Sequence, residues 1–85
     1  MTDELKVLRD KIDALDREIA RLLAERFAVV REIGEVKKAL SLPVLNEARE
    51  AIVLEKVSAE AGDDRTAEAI RRVYRAVMDA AKTLE

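Results

Sequence analysis

The sequence contains no cysteine and no histidine. Without thiols the chain can hold no disulfide, no thiolate zinc site and no iron–sulfur cluster. Without imidazole it lacks the usual Ser-His and Cys-His pairs and the side chain that titrates nearest neutrality. Aromatics are nearly missing: Phe27 and Tyr74 are the only two, and tryptophan is absent. That removes the stacking platforms on which single-stranded nucleic acids bind. A dominant charge is missing too, with 16 basic residues against 18 acidic for a net −2. Such a balance supplies no basic footprint for a nucleic acid. No apolar run approaches the ~18 residues that a membrane span needs. The opening Met1-Thr2-Asp3-Glu4 is acidic and has no apolar stretch behind it. No secretory signal is therefore expected, and cytoplasmic residence is.

What remains is charged and helix-forming. Charged residues make up 40% and hydrophobic ones 49% of the 85 residues, with two glycines and one proline. This composition belongs with long helices and coiled coils. The length implies one domain, spanning 1–85. A lone chain of this size buries only roughly 60–65% of its unfolded surface. With disulfides excluded and metals not expected, a second copy becomes the leading source of stability.

Leu5, Leu8, Ile12, Leu15, Ile19, Leu22, Arg26, Val29, Ile33, Val36 and Leu40 alternate three and four apart. This heptad seam predicts one very long first helix of ~37 residues. At about 1.5 Å per residue that helix is roughly 55 Å long. A compact chain of this size has a diameter of about 30 Å. Two shorter helices cannot cover such a seam, so the expected architecture is all-α. It is a three-helix protomer in an intertwined two-fold homodimer.

Thr2 or Asp3 is expected to cap the first helix. Gly34 lies inside it at a cost of about 1 kcal/mol against Ala, which a close helix crossing would explain. The helix is expected to end at Ser41-Leu42-Pro43, where proline disfavours helix in the preceding residue. Asn46 is the predicted N-cap of a second helix over about 47–61, with Gly62 as its left-handed terminator. Asp63 or Asp64 caps a third helix over about 65–85. Its seam is Ala67, Ile70, Tyr74, Val77, Ala81 and Leu84.

Arg26 stands in a seam whose neighbouring members are aliphatic. A buried arginine without a partner is prohibitively costly. Either it forms an ion pair within the dimer and sets the register, or it belongs to an anion site inside the bundle. Lys37 lies about three turns further on and returns to the same face, about 16 Å away. Arg9 is about 25 Å from Arg26 along the helix, too far to share a small ligand. If two first helices cross antiparallel, Arg9 of one chain can approach Arg26 of the other. That arrangement gives two equivalent sites, each built from both chains. Asn46, Arg49 and Glu50 share one face of the second helix at i, i+3 and i+4. Glu85 follows the seam residue Leu84, at a terminal position where fraying is usual.

From Leu8 the chain reads LRDKIDALD, then LLAER to Arg26, IGEVK to Lys37, Pro43-Val44 and Arg49-Glu50. In this combination it resembles the all-helical chorismate mutases over nearly its whole length. The resemblance implies an intertwined homodimer that converts the dicarboxylate chorismate to prephenate, towards phenylalanine and tyrosine, with no cofactor and no metal. A pericyclic rearrangement needs no nucleophile or general base, so the missing His and Cys are no obstacle. The resemblance further implies that Arg26, with Arg9 donated by the partner chain, clamps carboxylates. Lys37 would donate to the ether oxygen whose bond breaks, Arg49 would line the cationic site, and Glu50 would accept from the ring hydroxyl.

Three positions depart from the family pattern. Asn46 stands where many members carry aspartate, and it can still cap the helix and contact the hydroxyl. Ala81 stands where serine is common, which removes one side-chain hydrogen bond to a substrate carboxylate. Glu85 stands where glutamine or glutamate occurs. An ionised Glu85 would repel charge developing on the ether oxygen, whereas the neutral acid can donate to it. Lys37, Glu85 and Arg26 are thus the expected catalytic groups. Arg9, Arg26, Lys37, Asn46, Arg49, Glu50 and Ala81 are the expected substrate-binding positions. The helical isochorismate–pyruvate lyases share this frame, though the LAER and PV…RE segments favour the mutase. A non-catalytic dimerisation or regulatory module is the reading from another class. Domains of this kind also occur fused to, or complexed with, other shikimate-pathway enzymes.

Overall fold

A computed structural model describes residues 2–85, with the side chain of Thr2 left aside. The described residues form three helices and no strand: α1 over Thr2–Ala39, α2 over Glu47–Ser58 and α3 over Asp64–Lys82. The 38 residues of α1 measure about 57 Å at 1.5 Å each. The longest molecular dimension is also 57 Å, so α1 alone sets the length of the protomer. Its radius of gyration is 16.3 Å, against about 12 Å for a compact chain of this size.

The helix ends follow local chemistry. Asp3 and Glu4 lie in the first turn of α1 and Lys37 and Lys38 in its last, where each charge opposes the helix dipole. Asp3 is therefore inside the helix and not its cap, and capping by Thr2 falls outside the described side chains. The far end of α1 closes in a Schellman motif, with Leu42 N–H donating to Lys37 C=O and Ser41 N–H to Lys38 C=O. Ser41 takes the left-handed position of that motif at φ 56°. Asn46 caps α2 as expected, its side-chain oxygen accepting from Arg49 N–H at 3.0 Å.

The exit from α2 corrects the sequence reading. The helix stops at Ser58, capped by Ala59 in ordinary right-handed geometry. Gly62 is not left-handed, since no described glycine has positive φ. Tightening turns do the work instead: Glu60 N–H donates to Val57 C=O and Ala61 N–H to Ser58 C=O. These bonds satisfy the last carbonyls, so no reversal of handedness is needed. α3 likewise ends at Lys82, short of Glu85, and the turn through Thr83 and Leu84 carries the chain on.

α2 and α3 pack closely on each other. The buried apolar side chains are Val30 of α1 and Ala67, Val77, Met78 and Ala81 of α3. All six members of the predicted α3 seam are buried or half-buried. α1 behaves differently. The stripe that meets its own chain is Leu23, Arg26, Phe27, Val30, Gly34 and Lys37, all buried or half-buried. The ten aliphatic residues of the heptad seam remain 45–63% exposed. The total accessible surface is 6996 Å², where a compact protein of this mass exposes roughly 5,000 Å². The long seam is thus a second apolar face that the protomer itself leaves uncovered.

Asp63 shows how much the α3 start depends on one side chain. Its Oδ1 accepts from Thr66 N–H at 2.8 Å and its Oδ2 from the Thr66 hydroxyl at 2.9 Å. Those bonds, the backbone one first, hold its carboxyl below the ordinary value of 3.8. A depressed folded-state value means stability that is complete above 3.8 and is lost as pH falls through the lower folded value. Asp63→Ala is therefore expected to lower Tm at neutral pH, and thermal melts in progressively stronger acid should show that difference shrinking.

Candidate active site

Three elements meet at the Lys37 ammonium. Lys37 projects from the last turn of α1, and its Nζ donates to the Val44 carbonyl at 2.7 Å. The same Nζ lies 2.7 Å from Glu85 Oε1. The first contact fastens the α1–α2 connection and the second fastens the chain beyond α3. Glu85 is not frayed: its side chain is only 9% exposed. Its Oε1 is buried and the Lys37 contact falls outside hydrogen-bond alignment, so the pairing is Coulombic.

Gly34 explains how Glu85 comes so near. A Cβ placed on Gly34 would stand 2.8 Å from Glu85 Cα and 3.1 Å from its carbonyl carbon. Those are backbone atoms that cannot swing aside. The glycine expected to serve a helix crossing instead admits the residue that follows α3.

Within its own chain Arg26 is anchored by an aromatic ring. Its guanidinium carbon lies 5.6 Å from the centre of the Tyr74 ring on α3, a cation–π distance. Among the described residues no carboxylate forms an ion pair with it within this chain. On α2, Glu50 Oε2 meets Lys82 Nζ at 2.9 Å. That bond, above all, holds the Lys82 ammonium's pKa above its ordinary value, against the opposing effect of burial.

These groups share one cavity of about 270 Å³. Arg26, Lys37, Arg49 and Lys82 supply four cations to its wall, and Glu50 and Glu85 supply two carboxylates. Asn46 completes the polar lining, and Val30, Ile33, Val44, Val53, Met78 and Ala81 form the apolar part. The formal balance, four cations less two carboxylates, leaves two positive charges for an incoming anion. Ala81 is 5% exposed and offers only a methyl group.

Seven of the eight positions singled out in the sequence thus converge: Arg26, Lys37, Asn46, Arg49, Glu50, Ala81 and Glu85. Arg9 does not. It is exposed on α1, seventeen residues and about 25 Å along the axis from Arg26. Sequence reasoning missed Lys82. Its only local signal is a place three residues before Glu85, hence on the same face of the α3 end.

Fold and cavity together define a small helical protein with a net-cationic pocket built from all three helices. Residues 8–85 match the family model Chorismate mutase type II, and the chain belongs to that family. It is 38% identical, over 98% of its length, to the bifunctional chorismate mutase/prephenate dehydratase of Aquifex aeolicus, of which it covers 24%. It is 40% identical, over 88% of its length, to the T-protein of Enterobacter agglomerans, of which it covers 21%. The chorismate mutase of Methanocaldococcus jannaschii is 32% identical over 67% of this chain and 58% of that protein. The chain therefore spans about a quarter of the first two relatives. Among solved structures, chorismate mutase from Thermus thermophilus superposes with a TM-score of 0.82 at 35% identity, covering 92% of this chain and 98% of that one.

The Gly34 contact separates stability from function. Gly34→Ala gains about 1 kcal/mol of helix propensity while displacing Glu85. The expected result is a Tm within a few degrees of wild type and, if the family's mutase activity is present, turnover reduced at least about tenfold, a loss of ~1.4 kcal/mol in transition-state stabilisation. Parallel melts and rate measurements check it, and unaltered turnover would show that the position of Glu85 does not matter.

Proposed function

We propose that this chain catalyses the Claisen rearrangement of chorismate to prephenate. The observation that carries this reading is the cavity in which four cations face two carboxylates, with Lys37 beside a buried Glu85. Chorismate is a dianion, and its reactive form is a folded conformer in which one carbon–oxygen bond breaks as one carbon–carbon bond forms. No proton leaves and no covalent bond to the enzyme is made. Catalysis is then a matter of holding the conformer and of meeting charge that develops on the ether oxygen. A rate gain of about a millionfold corresponds to ~8 kcal/mol, within reach of orientation and two charged donors.

The roles follow from position and family. Arg26, held by Tyr74, and Arg49 bind substrate carboxylates. Lys37 has three N–H donors; one goes to the Val44 carbonyl, and the Coulombic contact with Glu85 leaves the ammonium a donor for the ether oxygen. Glu50 accepts from the ring hydroxyl, beside Asn46. Glu85 pairs with Lys37 as a carboxylate and acts once it carries a proton, as a second donor to the ether oxygen. The charged groups around it are Lys37 on α1, Arg49 and Glu50 on α2 and Lys82 on α3.

Arg9 completes the site from a second copy. The uncovered α1 seam is the surface that brings it there, since two such helices crossing about a two-fold axis bury apolar area and carry Arg9 towards the partner cavity. No helix among the described residues is long and apolar enough to cross a membrane. Relatives named for two activities make a neighbouring shikimate-pathway enzyme, fused or bound, the expected partner, and the cytoplasm the expected site of action.

The test is to follow chorismate consumption, with the products separated by chromatography. Prephenate should be the product, and Glu85→Gln, which keeps an N–H donor at that position, should stay active. Pyruvate and salicylate from isochorismate would indicate the lyase instead, and no turnover would leave a helical interaction module. A mixing experiment addresses the shared site. Arg9→Ala and Arg26→Ala chains are each expected to be inactive. Random exchange gives mixed dimers in half of the population, each with one intact site, so about a quarter of wild-type activity should return. Verified exchange without recovery would place Arg9 outside the site.

A further inference from the structure

Lys82 is the only nitrogen donor that α3 contributes to the cavity wall, because Met78 and Ala81 are apolar and Glu85 is a carboxylate. We propose that Lys82 is a positioning residue, which holds the Glu50 carboxylate in the orientation that accepts the substrate's ring hydroxyl. This rests on the reading that the cavity rearranges chorismate.

Lys82 ends α3 and Glu50 stands in the first turn of α2, so their contact joins two helices at the cavity. Nζ lies 2.9 Å from Oε2, and both side chains are 29% exposed. On its own helix Lys82 also meets Asp79 at 3.3 Å, but Asp79 is 76% exposed and its attraction is screened by water. The cross-helix bond is therefore the one that orients the ammonium. Among the described residues no other cation lies within ion-pair distance of Glu50.

Two consequences follow for the carboxylate. With Oε2 held, the side chain has already lost much of its rotamer freedom, so binding a hydroxyl at the remaining oxygen costs less ordering. The Lys82 charge also offsets that of Glu50, which allows a carboxylate acceptor to stand in a pocket for a dianion without repelling it. The hydrogen bond raises the Lys82 pKa from 10.5, so the ammonium is charged throughout the neutral range. Lys82 thus acts through Glu50 and not on the substrate.

Kinetics with chorismate, and with the analogue lacking the ring hydroxyl, test this in Lys82→Met, Lys82→Arg, Glu50→Gln and the Lys82→Met/Glu50→Gln double variant. Lys82→Met is expected to raise KM for chorismate roughly three- to tenfold with kcat within about twofold. Lys82→Arg should recover most of that loss. In the Glu50→Gln background Lys82→Met should add nothing, because its effect passes through Glu50. For the hydroxyl-free analogue the loss in Lys82→Met should be smaller than for chorismate, because only the charge offset and not the ordering of Glu50 for a hydroxyl is removed. Asp79→Ala should match wild type throughout. Additive losses in the double variant would mean direct substrate contact and overturn the proposal, as would an unchanged KM in Lys82→Met. Lys82→Gln, read in the same way, serves if the Met variant fails to fold. Wild type that turns over no chorismate overturns the functional reading and this role together, whereas an active wild type with an indifferent Lys82→Met overturns this role alone.

Discussion

The Lys37–Glu85 ion pair lies where the end of α1, the α1–α2 connection and the chain beyond α3 come together. One ammonium contacts the Val44 carbonyl and the Glu85 carboxylate, each at 2.7 Å. Nothing else among the described contacts joins these three segments at a single atom. The pair forms only because Gly34 leaves room for the Glu85 backbone. A partly buried pair of this kind adds little net stability, since desolvation offsets much of the attraction. What it provides is placement: it fixes where Glu85 meets the site.

The other charges repeat that arrangement. Lys82 of α3 holds Glu50 of α2 while Glu85, three residues beyond Lys82, pairs with Lys37 of α1. The end of α3 therefore reaches α2 with a cation and α1 with a carboxylate. Arg26 is kept in place by the Tyr74 ring and not by a counter-charge, which leaves its hydrogen-bond donors for an anion. Ion pairs inside the cavity spread its charge, and the surplus of two cations is what suits it to the dianion of the proposed reaction. In the proposed rearrangement these same groups stabilise the transition state, with their orientation already supplied by folding.

The fold also carries an asymmetry between the faces of α1. One stripe, centred on Val30, is covered by its own chain, while the aliphatic seam faces outward. For a chain with so little buried inside one protomer the proposed association would supply stability, so its folding and its proposed activity would share one dependence on concentration. Arg9 lies on the half of α1 that no part of the same chain covers. The second copy proposed to bury the seam is also the one proposed to bring Arg9 to the cavity.

Much of this was legible in the sequence because it is local. The three helices follow from spacings of three and four, and the caps at Asn46 and Asp63 from side chains that bond an amide three residues on. The stop near Ser41 is likewise local, although its agent is a left-handed serine in a Schellman turn and not proline alone. Gly62 misled, because the carbonyls at the end of α2 found partners in tighter turns. The positions of Lys37, Asn46, Arg49 and Glu50 were readable from motif and helical phase. Only the tertiary structure decided that Gly34 receives Glu85, that Lys82 holds Glu50 and that the α1 stripe facing its own chain is offset from the seam. Those pairings join residues from different helices, and a heptad pattern marks a face as apolar without saying which neighbour will cover it. Local hydrogen bonds and periodicity determine elements, whereas contacts between elements depend on how whole helices pack.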